Sequence, residues 1–402
     1  MRSILMRGML FGILVIGTVR FTPSAWAAAF YNLGTLPDAT NFPSSAARGV
    51  SPDGLLAVGN TSVEVPGGQA AQWTVANGLS VLPRDPAYFS GEAKDASLGG
   101  AYIIGQRQLL GNLHYRGFRF HNGAYTDMGD LPGGTVDTIA MAISYDGGTV
   151  IGLGNYNRGL GGDQGFIWKE STGIRGIGFL PGYVTSQAIG ISGDGNVVVG
   201  NSSNSSGHGP AVRWTQAGGM IGLGDLPNGT NDSTAAGASF DGSVIAGSCL
   251  INGTTLEAFR WTQAAGMVGL GDLPGGQFYS VATAISDDGT LIGGYSTTGT
   301  TVGVGYEAFL WDAIHGMRNF KQVLVTDYGL NLTGWTLDRI NGISADGTTF
   351  VGDGYDPQNN FRGWVAVIPE PAEVAIVSCM LLGAAAAHRS PRNSPRRGAK
   401  RN

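Results

Sequence analysis

From about residue 30 to residue 367 the chain is a succession of short apolar runs separated by clusters of Gly, Asp, Asn and Ser. In the stretch beginning at Gln277 the runs read "FYSVATAIS", "TLIGGYS", "YEAFLW" and "GMRNFKQVL". They are short, bounded by turn residues and rich in β-branched and aromatic side chains, which predicts strands. Leu, Glu, Lys and Ala at helical spacing are almost absent outside the two ends, so the body is expected to be all-β. Segments such as "NVVVG" are apolar on both faces, as in sheets covered by neighbours on both sides.

The pattern repeats. Ser-x-Asp-Gly or a relic of it begins at Ser51, Ser97, Ser144, Ser192, Ser239, Ser286 and Ser344, at intervals of 46, 47, 48, 47, 47 and 58 residues. An aromatic closing an "AFRW"-like run keeps step at Trp73, Phe120, Trp168, Trp214, Trp261, Trp311 and Trp364. A "GLGDLP"-like run follows from Tyr31, Gly78, Asp127, Gly176, Gly222 and Gly269, with "NFKQVL" from Asn319 as a degenerate seventh. A period near 47 fits HEAT or armadillo helices, or four-stranded propeller blades. Four β-like runs per unit select the seven-bladed β-propeller, and a β-helix has shorter coils.

Ring closure is also legible. The first motif after the N-terminal segment is of fourth-strand type, "FYNLGTLP", whereas the last unit stops after its third strand, "FRGWVAVIP". Residues 30–36 are therefore predicted to complete the last blade, with Tyr31–Leu36 beside Phe361–Val367, removing an open edge.

Composition agrees with this picture. The 402 residues include 68 Gly without a Gly-X-Y period, 13% are charged, and the net charge is -5. That excludes collagen, a polybasic nucleic-acid binder and a charge-driven disordered chain. Cys249 and Cys379 lie far apart with no ligand-like spacing, so neither a disulfide framework nor a zinc site is expected.

The two ends differ from the body. Residues 1–27 carry Arg2 and Arg7, the apolar run "GMLFGILVIGTV" and small residues at an Ala-x-Ala site, describing a signal peptide cut after Ala27. An uncleaved anchor is the alternative. Residues 368–402 hold Pro369, Glu370 and Pro371, then an apolar run and Arg389, Arg392, Arg396, Arg397, Lys400 and Arg401. This describes a short transmembrane helix with a basic stop-transfer tail. The prolines leave an extended, protease-accessible segment before it.

That C-terminal order resembles the PEP-CTERM sorting signal of Gram-negative bacteria. The resemblance implies processing by an exosortase-like membrane enzyme, a link to exopolysaccharide, and a location at the cell envelope, cell surface or extracellular matrix. Glu373 within the apolar run and the long tail depart from the pattern. The repeats "GLGDLPGG", "AISDDGTLIGG" and "EAFRW" are similar to the HAF repeats of exported bacterial proteins, which implies an extracellular repeat protein with no catalytic residues to carry over.

Candidate chemistry divides between the two faces of the ring. The Asp-Gly element joins the first two strands of each blade, and Asp53, Asp146, Asp194, Asp241, Asp288 and Asp346 are expected to build primed hairpin turns. The competing reading, a carboxylate ring binding Ca²⁺, fails on spacing because one Asp per blade does not converge. Asp287 is expected to be a solvated strand-end residue. On the opposite face the loops vary: 105–117, 153–165, 200–210, 247–257, 353–360 and the long connection 326–336. Variable loops on a rigid scaffold are where binding is built. The candidates there are Arg107, His114, Tyr115, Tyr156, Arg158, Asp163, His208, Trp335 and Tyr355, whose amphipathic and charged groups suit sugar hydroxyls and ring faces; ordinary solvated loops are the alternative.

No GxSxG, HExxH or P-loop occurs, and the histidines are scattered. No cofactor, metal site or nucleic-acid partner is expected. The sequence reads as a non-enzymatic exported propeller that binds polysaccharide or acts as a surface scaffold. A carbohydrate-active hydrolase or lyase and a protein-interaction scaffold are the alternatives. The enzyme alternative requires carboxylates converging on the variable face.

Overall fold

The computed structural model describes residues 27–37, 39, 43–63, 68–111, 114–132, 137–154, 163–299 and 305–369. Each repeat folds as one antiparallel four-stranded sheet, and the seven sheets form a β-propeller. The innermost strands are Ser45–Val50, Tyr88–Ala96, Thr138–Ile143, Thr185–Ile191, Gly229–Ala238, Ser280–Ile285 and Thr336–Ile343. They line a central channel. Among the described residues no helix is long and apolar enough to cross a membrane. The predicted signal peptide and apolar C-terminal run lie outside the described residues, except for Ala27, Ile368 and Pro369.

The glycine excess has a steric origin. The second strand of each blade has a glycine at one shared position, Gly59, Gly105, Gly152, Gly200, Gly247, Gly294 or Gly352, opposite the innermost strand of its own blade. A Cβ on Gly200 would lie 1.8 Å from the Gln187 carbonyl oxygen, and one on Gly59 1.9 Å from that of Ala46. At the same level each innermost strand contains a β-bulge, at Arg48, Lys94, Met141, Ile189, Ala236, Thr283 and Asn341. The bulge pushes one carbonyl toward the second strand, and only a residue without a side chain fits against it.

Closure follows the expected strand order over a shorter span. Ala29–Asn32 pairs antiparallel with Phe361–Val367, placing Tyr31 opposite Val365 and Asn32 opposite Trp364. Leu33 adds one bond, its N–H donating to the Gly363 carbonyl at 3.0 Å. Residues 34–36 leave the sheet as part of the connection to blade one.

Two sequence registers need correction. Trp364 is opposite Gly352, the place that Phe309 takes opposite Gly294, whereas the counterpart of Trp311 is Ala366. Trp364 is thus shifted by two residues and fills a core slot between Phe30 and Phe320. "GMRNFKQVL" is not one strand either: strand Gly316–Asn319 gives way to helix α1, Phe320–Thr326. Asn319 caps α1, its Oδ1 accepting from the Gln322 N–H at 3.0 Å, and Phe320, Val323 and Leu324 bury one helical face.

The Ser-x-Asp-Gly turns are not primed hairpins. Positive φ falls on the glycine, +72° at Gly54 and +74° at Gly195, and none of the turn aspartates has positive φ. Each serine works twice: Ser192 Oγ donates to Asp194 Oδ1 at 2.6 Å and accepts from the Val197 N–H at 2.9 Å. The same carboxylate oxygen accepts from the Asn196 N–H at 3.0 Å. Asp53, Asp146, Asp241, Asp288 and Asp346 repeat this arrangement. The carboxylates are consumed by their own turns. In blade two, where Gly99 replaces the aspartate, Ser97 Oγ keeps only its bond from the Tyr102 N–H.

These turns also link blade to blade. Backbone bonds run from Leu98 N to Tyr145 O, Tyr145 N to Gly193 O, Asp194 N to Phe240 O, Phe240 N to Asp287 O, Asp287 N to Ala345 O, and Ala345 N to Pro52 O. Pro52, lacking an N–H, ends the series. Asp287 departs from expectation: it accepts a hydrogen bond from the Tyr145 hydroxyl, joining blade six to blade three across the channel mouth. Burial raises the Asp287 carboxyl above its ordinary range. The Phe240 ring lies 5.8 Å from that of Tyr145, so the channel is bridged on the face of the uniform turns.

Candidate functional site

The central channel encloses about 190 Å³. Because the bulged residue differs in each blade, its wall is asymmetric. Met141, Ile189 and Ala236 make one side apolar, while Arg48, Lys94 and Asn341 make the other polar. On the polar side Arg339, Asp353, Arg48, Glu92 and Lys94 form a chain of ion pairs across blades seven, one and two, at 3.3, 2.9, 2.8 and 2.7 Å. Burial would raise the Glu92 carboxyl, but Lys94 and Arg48 hold it below its ordinary value. Asp353 is 1% exposed in its side chain, and desolvation outweighs its two arginines to raise its pKa. Each side chain in this chain has an ion-pair partner, and together they tie blades seven, one and two to one another.

Asp95 stands apart from the chain. It accepts from the Ala96 N–H at 2.8 Å and the Ile143 N–H at 3.1 Å, stapling blade two to blade three. Burial pushes its carboxyl up to about 7.

The variable face scatters most of the sequence-predicted residues. Arg107 does not present itself to solvent: it is 7% exposed, pairs with Asp85 at 3.1 Å, and is stacked between Tyr88 and Tyr125, 3.8 and 4.0 Å from their ring centres. It is a structural cation. His114 Nδ1 lies 3.0 Å from Asp137 Oδ2, and the neighbouring Tyr115 N–H also donates to Asp137. His208 lies 2.6 Å from Asp232 in an exposed loop. Asp163 is buried, its carbonyl accepting from the Ser186 N–H. Tyr156 and Arg158 lie outside the described residues, as do Glu370 and Pro371; Pro369 follows Ile368 at the end of the described chain.

Trp335 and Tyr355 are brought together. With Tyr306, Glu307, Asn319, Lys321 and Asp338 they line a cleft of about 430 Å³ between blades six and seven. Trp335 is mostly buried, its ring edge-on to Phe30 at 5.0 Å, so it forms the cleft wall from the core side. Tyr355 is 39% exposed and packs on Phe361. Tyr306 belongs to a cluster with Tyr279 and Tyr295, its ring 5.0 Å from that of Tyr295.

Two carboxylates converge on this cleft, and neither was among the sequence candidates. Glu307 accepts from the Asn319 side-chain amide, and Asn319 is in turn oriented by its cap on α1. Asp338 sits at a second bulge of the innermost strand of blade seven, between Leu337 and Arg339. Burial raises its carboxyl to about 6, with Asp353 and Glu307 adding to the rise and Arg339 opposing it. Lys321 Nζ donates to the Trp335 carbonyl at 2.7 Å. Glu307 has an equivalent in Glu257 of the preceding blade, so the repeat pattern alone does not set it apart. The signal for Asp338 was the added length of the last interval, which supplies α1 and the connection that walls the cleft.

Comparison with known proteins gives a fold and no family. No family model matches the chain, and no curated protein matches it. Among solved structures the chain is similar to an oligogalacturonate lyase in complex with manganese, at TM-score 0.53 and 9% identity over 86% of this chain and 97% of that one. It is similar to prolyl oligopeptidase B from Galerina marginata, at TM-score 0.50 and 9% identity over 83% and 52%. Likeness to TolB from Acinetobacter baumannii reaches TM-score 0.44 and 15% identity over 67% of this chain and 65% of that one. At these identities the shared property is the propeller scaffold.

Proposed function

We propose that the chain is an exported propeller of the bacterial cell envelope, surface or matrix that binds polysaccharide through the cleft between blades six and seven. The observation that carries this reading is the cleft itself. Aromatic rings of Tyr306, Tyr355 and Trp335 stand beside the polar groups of Glu307, Lys321 and Asp338 in one concave space. Ring faces supply apolar area for sugar C–H surfaces, and the polar groups supply orientation. The exported location rests on the signal-peptide pattern and the PEP-CTERM-like tail, with an exosortase-like enzyme as processing partner. Mass spectrometry of the mature termini tests it: an intact residue 1–27 segment on the exported protein overturns export by this route.

Binding is tested on the full chain by a glycan array followed by calorimetry. Tyr355→Ala is expected to weaken binding about tenfold, as for an aromatic anchor. Undiminished binding by that variant moves the site elsewhere, and binding to no glycan overturns the reading.

A second reading, a carbohydrate-active hydrolase or lyase, is favoured by one observation. Glu307 and Asp338 share a cleft, with the pKa of Asp338 raised to about 6, as acid and base pairs require. New reducing or unsaturated ends released from an oligosaccharide, and lost in Glu307→Gln, would establish it.

A further inference from the structure

The charge of the cleft narrows the class of sugar it accepts. Glu307 and Asp338 line it, and among the described residues neither forms an ion pair within 4.0 Å, while the other carboxylates nearby are paired: Asp353 with Arg48 and Arg339, and Asp327 with Arg318. The cation in the wall, Lys321, is turned to the Trp335 carbonyl oxygen. Arg339 is held by Asp353 and lies 5.2 Å over the Tyr295 ring. The wall thus carries two carboxylates against one ammonium, which hydrogen-bonds to a backbone carbonyl and pairs with neither of them. Partial desolvation strengthens what these acceptors do to a charge placed among them.

We propose that the cleft selects a glycan bearing free amino groups, a deacetylated hexosamine polymer, whose ammonium donates to Glu307 and Asp338 while its ring packs against Tyr355 and Tyr306. A carboxylate-bearing polyuronate meets like charge in the same place. A neutral or N-acetylated sugar offers the two carboxylates only uncharged hydroxyl or amide donors, which make weaker hydrogen bonds than an ammonium. This inference rests on the cleft being the polysaccharide site.

The test is calorimetry of the full chain with three probes of matched length: glucosamine oligomers, fully N-acetylated glucosamine oligomers, and oligogalacturonate. Glucosamine oligomers are expected to bind about tenfold tighter than the N-acetylated ones, the order of one charge-assisted hydrogen bond. Glu307→Gln and Asp338→Asn should each remove most of that preference. Glu170→Gln, on the opposite face and paired with Arg119, should leave it unchanged, which separates the cleft from the general attraction of an acidic protein for a cationic chain. If a variant is unstable, the preference of the unaltered protein and its survival in the other variant still decide the matter. Equal or tighter binding of the N-acetylated or uronate oligomers overturns the charge argument and leaves the cleft as a glycan site. Binding of none of the three, together with a blank glycan array, overturns both.

Discussion

Single residues without side chains hold the ring together as much as the large ones do. Gly200 meets the Gln187 carbonyl so closely that Gly200→Ala must displace a strand. Its cost is expected to be about 3 kcal/mol or more, read as a fall in the urea midpoint. Gly222→Ala is the control, since a Cβ there meets nothing nearer than 3.6 Å and its φ is not positive; it should be close to neutral. Asp95 carries a pH dependence. Its folded pKa is raised from 3.8 to about 7, so the folded state favours the protonated form. Its contribution to stability is therefore present below about pH 4 and lost as the pH rises through 7. The unaltered protein is expected to lose a few kcal/mol over that window relative to Asp95→Asn. Parallel pH profiles from denaturant titrations of the two proteins would refute this.

Turns and caps act at the next scale. Ser192→Ala leaves the Val197 N–H without its acceptor and Asp194 without its hydroxyl donor. A loss of about 1–3 kcal/mol is expected, with faster amide exchange at Val197. Asn319→Ala removes the cap of α1 and the amide that holds Glu307, at a cost of about 1 kcal/mol. That variant should also weaken glycan binding without touching Tyr355, and calorimetry on the same sample checks both effects. The turns were readable because Ser, Asp and Gly recur at fixed offsets, although their backbone type was not: Asp-Gly points to a primed turn until the serine hydroxyl bonds the aspartate. Helix α1 hid because Asn319, Phe320, Val323 and Leu324 overlay a degenerate strand motif, and only the cap and the i, i+3, i+4 burial separate the two readings.

The whole molecule was the most legible level. Blade number, strand order and closure by Tyr31 and Asn32 all follow from the phase of three markers. The bulges at Arg48, Lys94 and their equivalents were not legible, since one extra residue leaves the period intact. The cleft was half legible: Trp335 and Tyr355 were named, but Glu307 and Asp338 acquire meaning only when blades six and seven are placed side by side. Deleting Ala29–Asn32 should expose the edge of Phe361–Val367. Amide exchange there is expected to rise toward that of an unpaired strand, and the thermal midpoint to fall; unchanged protection would mean that closure contributes little. The pairing of Phe30 and Tyr31 with Ala366 and Val365 also has a bearing on biogenesis. The first residues of the propeller to be synthesised wait for the last, so blades one to six can form in succession while the ring stays open until translation of the body is complete. A chain stopped short would carry two unsatisfied strand edges, and would be marked for proteolysis by its own architecture.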